Sequence, residues 1–314
     1  VSRWLPFWPT NAAQSATVVD AILFGELALI AVILAFVFGM MVLFCVRYRR
    51  DSQAQRVAVG TKSWRIEIGW TSATLIGFFV LFAFGAHAYL FLYKPPAHTD
   101  LELYVVGKQW MWKVQHPGGQ REIDAMHVPI NRSVRVVLAS QDVIHSLYLP
   151  EFRVKHDAVP GQFETFWFRP TRLGTYQLEC SEFCGTEHAH MIGSVTVMTE
   201  PDYARWLRNQ GVTQSLSERG AGLFRSAGCS GCHGTASTIH APSLAGLYGS
   251  IVHLDDGRAV RADERYIRDC ILVPQNERVA GYPPAMPSFA GQLSEDDLIA
   301  ILAYIKSLSA EPQP

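Results

Sequence analysis

The sequence predicts a membrane protein in three parts: two membrane-spanning helices, then an all-β domain, then an all-α domain. Three observations predict it. Residues 27–46, LALIAVILAFVFGMMVLFCV, are twenty consecutive uncharged and mostly apolar positions, and 68–93 form a second long run with aromatic residues at both ends. From Leu101 to about Met198 the apolar residues come in short or alternating runs with turn signals between them, which is the pattern of a sandwich or barrel. Beyond 200 the pattern turns helical, ending on Leu298, Ile301, Leu302, Ile305 and Leu308 at helical spacing. These divisions place an N-terminal segment and helix pair at 1–97 (helices about 21–46 and 68–93), a β domain at 98–199, a linker at 200–216 and a helical domain at 217–314. A chain of 314 residues has room for two or three domains, and its net charge of −1 gives no electrostatic reason to expect nucleic acid as a partner.

Twenty apolar residues are long enough to cross a bilayer, so the first two elements read as a transmembrane hairpin. The loop between them carries Arg47, Arg49, Arg50, Arg56, Lys62 and Arg65, against Arg3 alone in the first twenty residues. Basic loops stay in the cytoplasm. Both termini, and everything after Tyr93, are therefore expected outside it. A signal peptide is not visible at Val1, and removal of one from a precursor stays open. Glu26, near the outer end of the first helix, is expected in the headgroup zone or against a partner.

The β region is written in the runs LELYVVGKQWMWKVQ, SVRVVLAS, FETFWF, GTYQLEC and GSVTVM, punctuated by Pro117-Gly118-Gly119 and Pro160-Gly161. About a hundred residues of short strands with candidate metal ligands near the end suit a cupredoxin-like Greek-key sandwich. The closing helix of the third region begins at Ser294, with Asp297 three residues on as a capping partner and Lys306 in its last turn.

Six cysteines stand at 45, 180, 184, 229, 232 and 270. An oxidising compartment permits disulfides, but four of the six fall in two short clusters beside His and Met, which is a metal or cofactor pattern. Cys45 and Cys270 read as packing residues. The first cluster is CSEFCGTEHAHM, Cys180 to Met191. Zinc accepts thiolate and imidazole, whereas a thioether in the set points to copper or heme iron. The second is CSGCH, Cys229 to His233, in which two thiols can each add to a heme vinyl group and the adjoining His then lies under the iron. A second axial ligand is offered by Met286 in the proline-stiffened stretch PPAMPSF.

Around CSGCH the resemblance is to class I cytochromes c. Gly220, Phe224 and Tyr304 resemble the glycine and aromatics at which the terminal helices of that family cross, and Pro242 resembles the proline whose carbonyl orients the ligating His. The resemblance implies covalently bound heme c on Cys229 and Cys232 with His233 and Met286 as axial ligands; His240 and His253 read as bystanders. Heme attachment outside the cytoplasm, as in that family, agrees with the charge-based orientation.

The β region adds His145, in QDVIHSLYLPEF. A mononuclear cupredoxin site uses one Cys; two thiolates can bridge a pair of coppers. His145 followed by CSEFCGTEHAHM resembles the copper A motif of cytochrome c oxidase subunit II, C-S-E-x-C-G-x-x-H-x-x-M. The resemblance implies dinuclear copper A held by bridging Cys180 and Cys184, terminal His145 and His188, the weak thioether Met191 and the backbone carbonyl of Glu182. It also implies a Mg2+ ion on the Glu182 side chain, shared with subunit I. His190 falls on an x position, and Glu187 has no metal role. GKQWMWKV resembles the family's aromatic stretch, in which Trp110 is the residue where electrons enter. EIGWT resembles the start of its second helix, in which Glu67 lies at the mouth of a proton path into subunit I; as a plain reading, Glu67 is an interfacial charge. Met111, Gln162 and Thr74 depart from the family pattern, and none is a metal ligand.

The chain holds no nucleophile triad, acid-base constellation or phosphate loop, so it is expected to carry electrons rather than transform a substrate. The fused C-terminal domain points to the caa3-type branch of cytochrome c oxidases, proton-translocating oxidoreductases of the respiratory chain. There the chain would pass electrons from heme c to copper A and on to catalytic subunit I, where O2 is reduced to water. The resemblance implies subunit I and subunit III as partners, and a cytochrome c or bc1-type complex as external donor. It also implies a bacterial inner (plasma) membrane, with the redox domains on the periplasmic side. The alternatives are a copper A subunit of a nitric-oxide reductase and, against CSGCH and Met286, a copper-delivery protein.

Overall fold

A long run without polar side chains leaves the backbone as its own hydrogen-bond partner, and a helix is the local solution. The computed structural model describes residues 8–55, 64–94, 96, 98–234, 237, 239 and 241–309. Both apolar runs are helical in it: α1 spans Gln14–Arg47 and α2 spans Trp64–Tyr93. Each starts before the apolar run does, because residues 14–20 and 64–67, which mix polar and apolar side chains, are helical as well. Both are long and apolar enough to cross a membrane. Their large side chains are exposed, Phe36 by 67% and Phe82 by 69%, as suits surfaces that meet lipid. Of the basic residues used to orient them, Arg3, Arg56 and Lys62 lie outside the described residues, as does His240. Residues 15–94 form one compact unit, and the remainder of the chain forms another.

In the second unit, alternation of apolar and polar residues produces two five-stranded sheets. The first contains β1 (Leu101–Lys108), β2 (Met111–Gln115), β3 (Arg121–Ile123), β5 (Val134–Ser140) and β8 (Glu164–Phe168), in the order β3-β2-β1-β5-β8. The second contains β4 (Ala125–Pro129), β6 (His145–Leu149), β7 (Val154–Ala158), β9 (Gly174–Cys180) and β10 (Ile192–Met198), in the order β4-β10-β9-β6-β7. Neighbours are antiparallel except β1 with β5 and β4 with β10, where the chain crosses between sheets. Leu103, Val105, Val136 and Leu138 of one sheet meet Leu147, Leu178, Val195 and Val197 of the other in one buried core, the arrangement of a cupredoxin-like sandwich. Ala12 and Ala13 are fully buried in this core, and Ala12 is tied by backbone hydrogen bonds to Glu151 and Thr171.

The segment after the last strand is helical. Thr199 caps α3 (Glu200–Asn209), whose Tyr203 and Trp206 lie on a buried His-Glu-His group. Glu122 accepts from both histidines, at 2.8 Å from His116 and 2.5 Å from His127, while Trp206 stacks on His127 and Tyr203 hydroxyl lies 2.9 Å from His116. Burial pushes the Glu122 carboxyl up, but the hydrogen bonds from His116 and His127 outweigh it and hold the group at about 2. Its folded pKa is depressed, so its contribution is complete above the ordinary carboxylate range and is lost as pH falls toward 2. Glu122→Gln should therefore lower stability by on the order of 2 kcal/mol at neutral pH. Denaturation curves measured between pH 7 and 2 should show the gap from wild type closing as pH falls below the ordinary value of 4.5.

The last domain is built from α4 (Leu216–Ser226), α5 (Ser230–His233), α6 (Glu264–Leu272) and α7 (Glu295–Ser307). Two capping boxes start its long helices: Ser215 with Glu218, and Ser294 with Asp297. The domain is not wholly helical, for β11 (Ile251–His253) and β12 (Ala259–Arg261) form a small antiparallel hairpin. α4 crosses α7 at Gly220, where an added Cβ would lie 1.9 Å from the Ala300 carbonyl oxygen, and Phe224 packs on Tyr304 with ring centroids 5.2 Å apart.

Candidate functional site

Strand pairing gathers the first cluster. Leu147 of β6 lies opposite Cys180 of β9, which brings His145, at the start of β6, beside the cysteine that ends β9. The connection from β9 to β10 then folds back over it. Gly185, at φ +116°, makes the bend, and a Cβ there would stand 3.0 Å from Gln109 and 3.2 Å from Trp110. Glycine thus lets the loop and the β1–β2 turn touch.

The donor atoms converge. The sulfurs of Cys180 and Cys184 are 3.8 Å apart, too far for a disulfide and close enough to share a bound ion. His145 Nδ1 is 3.9 Å from Cys180 Sγ, His188 Nδ1 is 3.5 Å from Cys184 Sγ, and Met191 Sδ is 3.8 Å from Cys184 Sγ. The Cys180 thiol also donates to the Glu182 carbonyl at 3.3 Å. Among the described residues, His145, Cys180 and Cys184 form a buried group whose ligand atoms lie within 4.8 Å of one another. Met191 is fully buried, His188 is half-buried and the Glu182 side chain is exposed.

Burial opposes ionisation of both thiols. Contact with His145 nevertheless brings Cys180 down to about 6, while burial and the adjacent charge of Cys180 push Cys184 up to about 12. Two thiolates at this separation repel, so the pair calls for positive charge between them. The set of soft sulfur and imidazole donors fits copper well and fits the hard, oxygen-seeking cations poorly.

Two residues that the motif did not single out hold this arrangement. Asp142 accepts from His145 Nε2 at 2.8 Å and from the Gln109 backbone N–H at 2.8 Å, so one carboxylate aims the imidazole and pins the β1–β2 turn. Gln109 and Trp110 both donate to the Cys184 carbonyl, at 2.8 and 3.1 Å. The D-x-x-H spacing and the glutamine of GKQW were the available signals. Asp142→Ala should weaken metal binding by roughly 10- to 100-fold, as loss of an orienting partner does, measured by competition with a copper chelator. His190 and Glu187 stand apart: they pair with each other at 2.6 Å, and the His190 side chain is 80% exposed. Glu67 is exposed in the first turn of α2.

The second cluster lines a cavity of about 750 Å³. Cys229, Cys232 and His233 face it from one segment and Met286 from another. The Pro242 carbonyl accepts from His233 Nδ1 at 2.9 Å, which fixes the tautomer and leaves Nε2 as the ligating nitrogen. Apolar walls, two free thiols, an oriented imidazole and a thioether fit a heme. His253 lies on β11 at the cavity edge, and Cys270 stands half-buried on its wall, its thiol pushed up to about 11 by burial.

Comparison with known proteins agrees with both regions. Residues 119–198 match the family described as cytochrome C oxidase subunit II, periplasmic domain, and residues 217–309 match the cytochrome c family. The alternative cytochrome c oxidase subunit 2 of Bradyrhizobium diazoefficiens is 30% identical over 251 residues, covering 69% of this chain and 88% of that protein. Cytochrome c oxidase subunit 2 of Alkalihalophilus pseudofirmus is 26% identical over 301 residues, covering 90% of this chain and 85% of that protein. A crystal structure of the periplasmic domain of subunit II of cytochrome oxidase from Bradyrhizobium japonicum aligns at a TM-score of 0.35 with 32% identity, covering 36% of this chain and 94% of that one. With a subunit II periplasmic domain followed by a cytochrome c domain, the chain belongs to the cytochrome c oxidase subunit 2 family.

Proposed function

We propose that this chain is the electron-accepting subunit of a heme-copper oxygen reductase, taking electrons at its heme domain and delivering them through its copper domain to catalytic subunit I. The observation that carries the reading is the presence, on one chain, of a two-thiol copper ligand set and a CSGCH heme cavity facing Met286. A thiolate-bridged copper pair and a heme with His and Met ligands both supply one-electron transfer without making or breaking substrate bonds.

The residues have distinct tasks in this reading. Cys180 and Cys184 would bridge the metals, His145 and His188 would close the two ends, and Met191 and the Glu182 carbonyl would add weak outer contacts. Asp142 keeps His145 aimed. Trp110, half-buried and hydrogen-bonded to the Cys184 carbonyl, offers a short bonded route from the domain edge to a bridging sulfur. Cys229 and Cys232 would hold heme c covalently, with His233 and Met286 on the iron. Mg2+ demands six oxygens, and Glu182 presents one exposed carboxylate, so the other ligands of such a site would come from subunit I and water. Glu67 would serve proton uptake from the cytoplasmic end of α2. Subunit III and a cytochrome c or bc1-type donor complete the assembly in a bacterial inner membrane, with both redox domains on the periplasmic side.

Rapid reduction of the heme in the isolated full chain tests the reading. Copper should then be reduced with a first-order rate constant that does not change with protein concentration; a second-order dependence would overturn it. Co-purification with the catalytic subunit, followed by assay with each gas, should show turnover of oxygen rather than nitric oxide.

A further inference from the structure

The attached heme domain does not hang from its connection. Leu298, Ile301, Leu302 and Ile305 of α7 belong to one buried apolar cluster with Tyr104 and Val106 of β1 and Val137 and Ala139 of β5. Those four strand residues point away from the sandwich core, so the outer face of the first sheet is covered by the heme domain. At its edge, Asp296 takes hydrogen bonds from Lys113 at 3.2 Å and Gln115 at 2.9 Å, and the Leu216 N–H donates to the Pro117 carbonyl at 3.0 Å. Arg268 reaches across to the Gly161 carbonyl.

Within this interface lie four charged side chains, two from each domain. Arg135 of β5 is 2.6 Å from both Glu102 of β1 and Glu264 of α6. Lys306 of α7 is 2.8 Å from Glu102 and 2.7 Å from Glu264. Each base therefore touches one acid of its own domain and one of the other. Tyr104 hydroxyl donates to Glu102, Tyr248 hydroxyl donates to Glu264, and Lys306 lies 4.7 Å from the centre of the Tyr248 ring. The Glu264 side chain is only 4% exposed and that of Lys306 13%. Burial pushes the Glu264 carboxyl up, yet Lys306 and Arg135 hold it at about 2.

The chemistry of the group is that of a lock. Its two positive and two negative charges sum to zero, so it can be buried as a set; separating the domains would leave one acid-base pair on each side and break the two contacts that cross. Two of the acid-base contacts, Arg135 with Glu264 and Lys306 with Glu102, exist only while the domains are together. A flexible tether would instead supply only an effective concentration on the order of millimolar, with no preferred orientation.

We propose that Glu102, Arg135, Glu264 and Lys306 are positioning residues that hold the heme domain at one fixed place on the copper domain, so that transfer between the two centres takes place across a permanent interface. The docking stands on the contacts of the whole interface, whereas its effect on transfer rests on the function proposed above.

The full chain, loaded with copper and heme in detergent, tests the proposal through three readouts. Carbodiimide footprinting should find Glu102 and Glu264 unreactive in the wild type and reactive in Lys306→Glu. Pulsed EPR between the oxidised copper and ferric heme signals should give one narrow distance in the wild type and a broad distribution in Lys306→Glu. The first-order transfer rate should fall by about tenfold or more in that variant, since misplacement of reacting centres is costly, while both potentials stay unchanged. Lys306→Arg should restore all three, and Glu102→Gln gives a milder perturbation in the same direction if Lys306→Glu folds poorly. A broad wild-type distance, or reactive wild-type Glu264, would overturn the docking. A Lys306→Glu chain with reactive carboxyls and a broad distance but wild-type transfer would overturn the positioning role. Loss of the copper or heme signal from wild type would count against the proposed function instead, and footprinting would still decide the docking.

Discussion

Cys184→Ser should abolish the mixed-valence copper signal and reduce bound copper from two ions to one or none. Cys184 Sγ is the central atom of the cluster, within 3.5–3.8 Å of His188 Nδ1, Cys180 Sγ and Met191 Sδ. No other cysteine approaches it among the described residues apart from Cys180, so no other thiol could take the bridging place proposed for it. A serine hydroxyl stays protonated at neutral pH and is a hard donor, poorly matched to Cu(I). Delivery of electrons to the catalytic subunit should fall by at least about 100-fold, more than loss of an orienting partner costs. EPR and copper analysis of the purified chain check the expectation. His188→Ala should act similarly, and His190→Ala should leave the signal intact because that side chain points into solvent and pairs with Glu187. A four-line mononuclear signal in the wild type would overturn the assignment.

Gly220→Ala should be the most damaging conservative change in the heme domain. Its new methyl group would lie 1.9 Å from the Ala300 carbonyl oxygen and 2.6 Å from the carbonyl carbon. These are backbone atoms in the middle of α7 and cannot turn aside. The two helices must move apart, which also loosens Phe224 from Tyr304 and costs on the order of 3 kcal/mol. Thermal unfolding followed in the heme band should shift down by several degrees, with less heme attached per chain. Gly222 is the control. It lies in the same helix with nothing within 4 Å of its added Cβ, so Gly222→Ala should stabilise the domain by about 0.5–1 kcal/mol through helix propensity alone. Equal destabilisation by both changes would show that the crossing is not the cause.

Much of the first centre is legible because most of its donors share one short loop. Cys180 ends β9, and Cys184, His188 and Met191 lie in the connection from it to β10, so spacing along the chain nearly equals proximity in space. His145 is different. It reaches the loop only through the β6–β9 pairing, and HSLYL is too short to announce a strand. For the same reason VKHDA, now β7, gave no signal. LELYVVGKQWMWKVQ reads as one run but folds as β1 and β2, because the bend at Gln109 and Trp110 has neither glycine nor proline in it. Asp142 is hidden for a further reason: a carboxylate before a turn is ordinary, and its role appears only when the imidazole and the Gln109 N–H arrive on it together. The segment 200–216, polar enough to suggest a linker, hides an amphipathic helix whose partners, His116 and His127, lie some eighty to ninety positions earlier.

The outer face of the first sheet has a consequence for how such a chain can be cut. Tyr104, Val106, Val137 and Ala139 would face water if the sandwich stood alone, and sheet surfaces that face water are normally polar. Severed after α3, the copper domain would therefore carry a contiguous apolar patch and tend to self-associate or precipitate. Soluble fragments of this protein are best made with both domains included. In LELYVV, Leu103 and Val105 are matched to the sandwich core on one face, and Tyr104, Val106 and the charge of Glu102 to the heme domain on the other.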